Sequence, residues 1–299
     1  RRNFIVADTP GHAQYTRNMA PGASGCEAAV ILVDATRGLT EQTRRHSRIV
    51  SLFGIRHVIL AVNKIDLVGH DAQVFERIAG DYAAFAADLG FRTVVAVPIS
   101  ARHGENVAAR SRALDWFNGP TLVEALEAVP VEDDRLTRPF RLVVQYVNRP
   151  DAHFRGYAGT VASGSLRAGD RIVVNPSGQS ATVARIVTWE GDRPSAQAGD
   201  AVTLVLDEAV DVSRGDVLSL PETRPAAVER FSAALLWMDE RPFDPDRAYR
   251  LRLGARTLPV RVERPETGEP TVPLVLNAIG EAVIAATTPI AFDAFADDP

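Results

Sequence analysis

The stretch ILAVNKIDLV, Ile59 to Val68, holds the only lysine of the chain. It begins as a continuous apolar run and turns polar at Asn63-Lys64-Ile65-Asp66. A short run of this kind suits a strand buried on both faces of a parallel sheet. Polar residues that follow such a strand sit at the carboxyl edge of the sheet, where open α/β folds bind ligands. Every other long cation is an arginine, whose planar fork does not substitute for a lysine stem. A carboxylate at Asp66 can accept hydrogen bonds from N1–H and N2–H of guanine, a donor pair that adenine lacks. The methylene stem of Lys64 can lie over the base while its ammonium reaches the loop. Taken alone, four residues fit a surface turn equally well.

The flanking sequence repeats the pattern. NFIVAD, AAVILVDA and TVVAVPIS read as further buried strands. TEQTRRHSRIVSLFG (Thr40 to Gly54) and DAQVFERIAGDYAAFAADLG (Asp71 to Gly90) read as helices that stop on glycine. A third helix is expected over Thr121 to Val129, started by Pro120. Alternating strands and helices define an α/β domain with a mostly parallel sheet, here residues 1–135. After the polar linker Pro130 to Pro139 the period becomes two, with frequent Gly-Asp and Pro turns. That change predicts a β-barrel over 136–225. Another proline-containing break, Leu220 to Glu229, leads into a second expected β-barrel over 226–299, incomplete where the sequence stops.

Composition narrows the class. The 299 residues are 46% hydrophobic and 24% charged, enough to build a sizeable core. A net charge of -5 argues against a surface that holds nucleic acid by neutralising phosphates. The single cysteine, Cys26, permits no internal disulfide, which fits a reducing cytoplasm. It precedes an apolar run and reads as a small packed residue.

Two further segments join the first. PISAR, Pro98 to Arg102, follows the next expected strand. Ser100, with the N–H groups of Ala101 and Arg102, is placed to meet guanine O6 and brace Asp66; the plain alternative is a strand-to-loop turn. VADTPGH, Val6 to His12, sets an aspartate at a strand end, then a glycine, then a histidine. Asp8 there suits magnesium held through water. Gly11 can bring an N–H close to a phosphate, because it lacks a Cβ. His12 is then the residue that orients an attacking water. Separately these are a turn aspartate, a turn glycine and a surface histidine. Their joint spacing, about fifty residues before Asn63, is what points to a nucleotide.

DTPGH, NKID and the serine-alanine loop resemble, in order, the motifs of the translation-factor class of GTPases, the elongation-factor-Tu-like proteins. DATRGLTEQTRRH resembles the stretch these proteins carry after the next strand. GHAQYTRNM, FRLVVQYVNRPDAHFRGYAGTVASG and NPSGQSATVARIV resemble, more narrowly, the GTPase subunit of bacterial sulfate adenylyltransferase, which also occurs fused in bifunctional nodulation-type enzymes. The resemblance covers almost the whole chain. It implies GTP and Mg2+ as ligands, an ATP-using catalytic subunit as partner, and GTP hydrolysis that drives adenosine 5'-phosphosulfate formation from ATP and sulfate. It further implies roles for Asn63, Lys64, Asp66, Ser100, Ala101 and Arg102 at guanine, for Asp8 at magnesium, and for Gly11 and His12 at the γ-phosphate and water.

Departures from the pattern shape the expectations. No G-x-x-x-x-G-K-[ST] occurs, because the only lysine is Lys64. The phosphate loop and first switch are therefore expected upstream of Arg1 or from another chain, which makes the α/β GTPase domain N-terminally incomplete. A translation elongation factor that delivers aminoacyl-tRNA shares every GTPase motif, and a remnant without catalysis is a third reading. The barrel motifs around Tyr146 to Arg155 favour sulfate activation over the elongation factor, and the sequence upstream of Arg1 decides the third reading. His46, His57, His70, His103 and His153 show no metal-ligand spacing. Asp133-Asp134 and Asp239-Glu240 read as solvated loops.

Overall fold

Three of the apolar runs become parallel strands: β1 (Ala28–Asp34), β2 (His57–Asn63) and β3 (Thr93–Pro98). The structure is a computed structural model and describes residues 2–9, 22–23, 25–130, 134–151, 154–265 and 274–295. The sheet order is β1-β2-β3, with Asp34 opposite Asn63 and Val62 opposite Pro98. All three strands therefore end at one edge, the edge that carries the polar residues. β2 is central, and Val58 through Val62 are at most 1% exposed.

Helices bridge the strands where the caps place them. α1 (Glu41–Leu52) starts at Thr40, whose side chain accepts from the Thr43 amide, and α2 (Ala72–Ala86) starts at Asp71, which accepts from Gln73. A buried bond between Ser47 Oγ and Tyr82 Oη, 2.9 Å, ties α1 to α2. α3 (Leu122–Ala128) opens with a capping box between Thr121 and Glu124. Its Ala125 packs with Ile59, Ala61, Val97 and Ile99, which fixes the ends of β2 and β3 from one face.

The expected strand NFIVAD does not form. Residues 2–9 carry no regular structure, and Ile5 and Val6 are exposed. The sequence has strand propensity, but a strand needs a ladder partner, and among the described residues β1 pairs only with β2. β1 is correspondingly exposed at Val30 and Leu32, not buried on both faces. Arg2 anchors the segment by donating to the Val129 carbonyl at 2.6 Å, just past α3.

The chain divides into two compact units. The first is Arg1–Val131 with Leu236–Glu240 and Val275–Ala278; the second is Glu132–Leu235, Arg241–Leu274 and Ile279–Pro299. In the second unit run β4 (Arg141–Val143), β5 (Tyr146–Asn148), β6 (Gly156–Ser163), β7 (Ser165–Arg167), β8 (Arg171–Asn175) and β9 (Ser180–Thr188). They are followed by β10 (Gly191–Arg193), β11 (Ser195–Gln197), β12 (Ala201–Leu206) and β13 (Val217–Ser219). The path β9-β12-β6-β4-β13-β8 returns to β9, so these strands close into a barrel around Leu142, Tyr157, Ile172, Val183, Ile186 and Leu204.

The rest of the β region is β14 (Ala226–Leu236), β15 (Tyr249–Leu253), β16 (Arg256–Glu263) and β17 (Ile279–Phe292). Their order, β14-β17-β16-β15, is an open sheet where a second barrel was expected. Among the described residues no pairing joins its two outer strands, β14 and β15. The buried guanidinium of Arg141 holds Asp293 through two bonds, 2.8 and 2.7 Å, and so links barrel to sheet.

Two glycines of the RGYAG motif have packing reasons. A Cβ on Gly159 would lie 2.5 Å from the Val143 carbonyl, and one on Gly156 would lie 2.4 Å from Thr203 Cγ2. Gly159→Ala is expected to lower stability by about 1–3 kcal/mol, because a strand must move to admit the methyl. Urea unfolding checks this; an unchanged midpoint would show that the barrel yields freely there.

Candidate functional site

Asn63 ends β2, and its side-chain oxygen accepts from two amides: Lys64 N at 2.8 Å and Ala101 N at 3.0 Å. One side chain thus joins the loop after β2 to the loop after β3. The chain then turns sharply. Lys64 is left-handed (φ 62°), Ile65–Val68 form a single 3-10 turn, and Gly69 is again left-handed (φ 67°). The Ile65 amide donates to the Ile99 carbonyl, which pins this turn against the β3 end. Asp66 is carried on that turn with its side chain 16% exposed.

Across from it lies Ser100, fully buried two residues past β3. Its hydroxyl, foremost, holds the Asp66 carboxyl below its usual value, with the local backbone amide and the nearby His103 and His70 adding to the effect. The carboxylate is therefore an ionised acceptor. Yet the Ser100 hydroxyl completes no hydrogen bond of full geometry. It favours the charge by proximity and retains capacity for another partner. A buried, unpartnered hydroxyl beside an ionised carboxylate is the kind of polar gap that a ligand fills.

Ser100 and Glu105 exchange both backbone bonds, each 3.1 Å, so residues 101–104 form a tight loop. The Ala101 amide, expected at the base, is engaged by Asn63. Among the described residues nothing accepts from the Arg102 amide, which leaves it open to an acceptor such as a ring carbonyl. His103 Nε2 stands 3.7 Å from Asp66.

Lys64 is held by a partner that sequence reasoning did not assign. Its ammonium donates to Asp34 Oδ2 at 2.7 Å, while Asp34 Oδ1 accepts from the Thr36 amide and hydroxyl. The Lys64 bond, with Thr36, lowers the Asp34 carboxyl from 3.8 to about 2. Asp34 ends β1 directly opposite Asn63. Its place at the end of a neighbouring strand was the available signal.

The other expected residues stand apart. Asp8 is exposed in the irregular segment 2–9, and no bond or ion pair joins it to another described candidate. Gly11 and His12 lie outside the described residues, as do His153 and Asp133. No group of three or more His, Cys, Asp or Glu suited to a metal occurs among the described residues. His57 is buried on β2 and bonds Thr93 at 2.8 Å. Cys26 donates to the Gly22 carbonyl, as a packed residue does. No helix among the described residues is long and apolar enough to cross a membrane.

Residues 1–133 match the elongation factor Tu GTP binding domain. The chain is 52% identical to the bifunctional enzyme NodQ of Rhizobium sp. (strain N33), over 100% of this chain and 47% of that protein. It is 49% identical to the bifunctional enzyme CysN/CysC of Xylella fastidiosa, over 99% of this chain and 49% of the relative. It is 46% identical to sulfate adenylyltransferase subunit 1 of Citrobacter koseri, over 100% of this chain and 65% of the relative. The first 133 residues thus resemble the elongation factor Tu GTP binding domain, and β-rich domains follow them. Within that class the chain resembles, from end to end, sulfate adenylyltransferase subunit 1 and the bifunctional enzymes that share its sequence. It spans about half to two thirds of the length of these relatives.

The Asp34–Lys64 pair sets a pH dependence. A carboxyl depressed in the folded state stabilises above its unfolded value, near 3.8, and that contribution is lost as pH falls through about 2. Lys64→Met is expected to return the Asp34 titration toward 3.8 in a carboxyl-detected NMR experiment. A midpoint that stays near 2 would assign the depression to Thr36 alone.

Proposed function

We propose that this chain is the GTP-hydrolysing regulatory part of a sulfate adenylyltransferase. It acts with an ATP-using catalytic subunit in a hetero-oligomer, in the cytoplasm. GTP hydrolysis to GDP and phosphate drives the uphill joining of sulfate and ATP into adenosine 5'-phosphosulfate and pyrophosphate. What supports this most is that the likeness to sulfate adenylyltransferase subunit 1 runs through the β domains as well as the GTP-binding domain. The GTP-binding domain alone is equally consistent with an elongation factor. Residues 1–135 are taken as the GTP-binding domain, 136–225 as a β-barrel domain, and 226–299 as a further β domain that is an incomplete barrel.

At the base, the ionised Asp66 accepts N1–H and N2–H of guanine. Ser100 and the Arg102 amide turn toward O6, while Asn63 keeps the Ala101 loop in place. The Lys64 stem covers the ring, with its ammonium steadied by Asp34. Adenine presents an acceptor at N1 to the Asp66 carboxylate, so the same frame rejects it. Toward the phosphates, Gly11 gives its N–H and His12 aligns water for in-line attack on the γ-phosphate. Asp8 would hold magnesium through water, and the ion would supply charge neutralisation along the phosphates. Positioning and charge stabilisation provide the catalysis.

Asp66→Asn in the full-length protein is expected to weaken GTP binding by about tenfold or more, from loss of a charge-assisted bond. It should strengthen binding of xanthosine triphosphate, whose C2 carbonyl meets the new amide. Titration calorimetry reads both, and unchanged GTP affinity would remove Asp66 from the site. The partner is tested by co-purification: the full-length protein is expected to carry an ATP-using sulfate adenylyltransferase subunit. Retention of aminoacyl-tRNA with no such subunit would favour the elongation-factor reading.

A further inference from the structure

We infer that His70 and Glu105 are positioning residues that latch the two base-recognition loops at the spacing guanine requires. The inference rests on the guanine reading of the strand-end site and adds two residues to it.

The loops are tied at one end by Asn63, which holds Ala101. They are tied again beyond the base-facing residues. Glu105 closes the 101–104 loop through its backbone, and its carboxylate meets His70 Nε2 at 2.9 Å. Ser111 Oγ approaches the other carboxylate oxygen at 3.5 Å. His70 directly follows the turn that carries Asp66. Its amide donates to the Ile65 carbonyl at 3.0 Å, and its own carbonyl accepts from Trp116 Nε1 at 2.9 Å. The ring therefore extends from a backbone fixed on both sides. Asp66 lies between Asn63 and His70 in sequence, and Ser100 and Arg102 lie just before Glu105. The two ties bracket the groups that would read the base.

The backbone at His70 gives the argument its force. Its φ is +59°, a left-handed conformation that glycine adopts freely and that few other residue types, histidine among them, enter at some cost. Gly69 beside it has φ +67° and is a glycine. Backbone strain at a non-glycine residue calls for a side chain that does something there. The His70 side chain bonds Glu105, and both side chains are largely shielded, 26% and 21% exposed.

Guanine and hypoxanthine differ only in the N2 amine, one of the two donors aimed at Asp66. Telling them apart requires Asp66 to stay at a fixed distance from the loop that reads O6. The test uses the full-length protein and compares GDP with IDP by calorimetry. His70→Gly relieves the backbone, so folding is retained, but it removes the latch. It is expected to weaken GDP binding by about tenfold while IDP binding changes little. His70→Gln, whose amide can donate to Glu105, is expected to restore most of the preference. Hydrogen exchange in the nucleotide-free protein supplies a second reading: the Ala101 and Arg102 amides should exchange faster in His70→Gly than in the parent. An unaltered GDP-to-IDP ratio in His70→Gly, unaltered exchange at those amides, or a Gln variant no better than Gly would overturn the latch. Parent protein that binds GDP no better than IDP would overturn the guanine reading itself, before any substitution is made.

Discussion

The side-chain oxygen of Asn63 accepts two backbone amides, one from its own loop and one from the loop after the next strand. The rest of the site depends on that double bond. Lys64 beside it takes a left-handed conformation, and the 3-10 turn that follows carries Asp66. Asn63 also holds Ala101, between Arg102 and the buried Ser100. An asparagine does this because its single oxygen carries two lone pairs and its stem is too short to reach elsewhere.

A parallel sheet makes such an arrangement economical. Strands in parallel register end at one edge, so Asp34, Asn63 and the residues past Pro98 arrive together without a long-range contact designed for the purpose. The apolar centre of β2 supplies rigidity, and α3 braces the same strands from one face. Polar groups then share the tips. Asp34 fixes the lysine, Asn63 fixes the loops, and Asp66 remains charged for a ligand. The β domains have a separate logic: a closed barrel whose glycines let strands approach, joined to an open sheet through the buried Arg141–Asp293 pair.

Much of this was legible in the residues, for identifiable reasons. β2 and β3 could be read because continuous apolar runs of that length have few other uses, and the helices because Gly54 and Gly90 mark stops and Pro120 a start. The placement of Asn63, Lys64, Asp66 and Ser100 at strand ends was legible because they close or follow those apolar runs directly. Asp34 as the partner of Lys64 was not, since the pairing depends on strand register, which no local pattern encodes. Nor was the His70–Glu105 bond, which joins side chains 35 positions apart. The segment 2–9 failed for a different reason: alternation and β-branching describe what a strand is made of, not whether a neighbour exists to pair with it. The last β region shows the same limit, because sequence period gives strands, and closure is a property of which edges meet.

The central claim is that three strand ends form a site that reads guanine. Its most direct measurement is the affinity of the full-length protein for GTP against ATP under identical magnesium and salt, by titration calorimetry. The account expects GTP to bind and ATP to bind at least about a hundredfold more weakly, because adenine offers Asp66 no donor pair and leaves the carboxylate facing an acceptor. Equal affinities for the two nucleotides would contradict it.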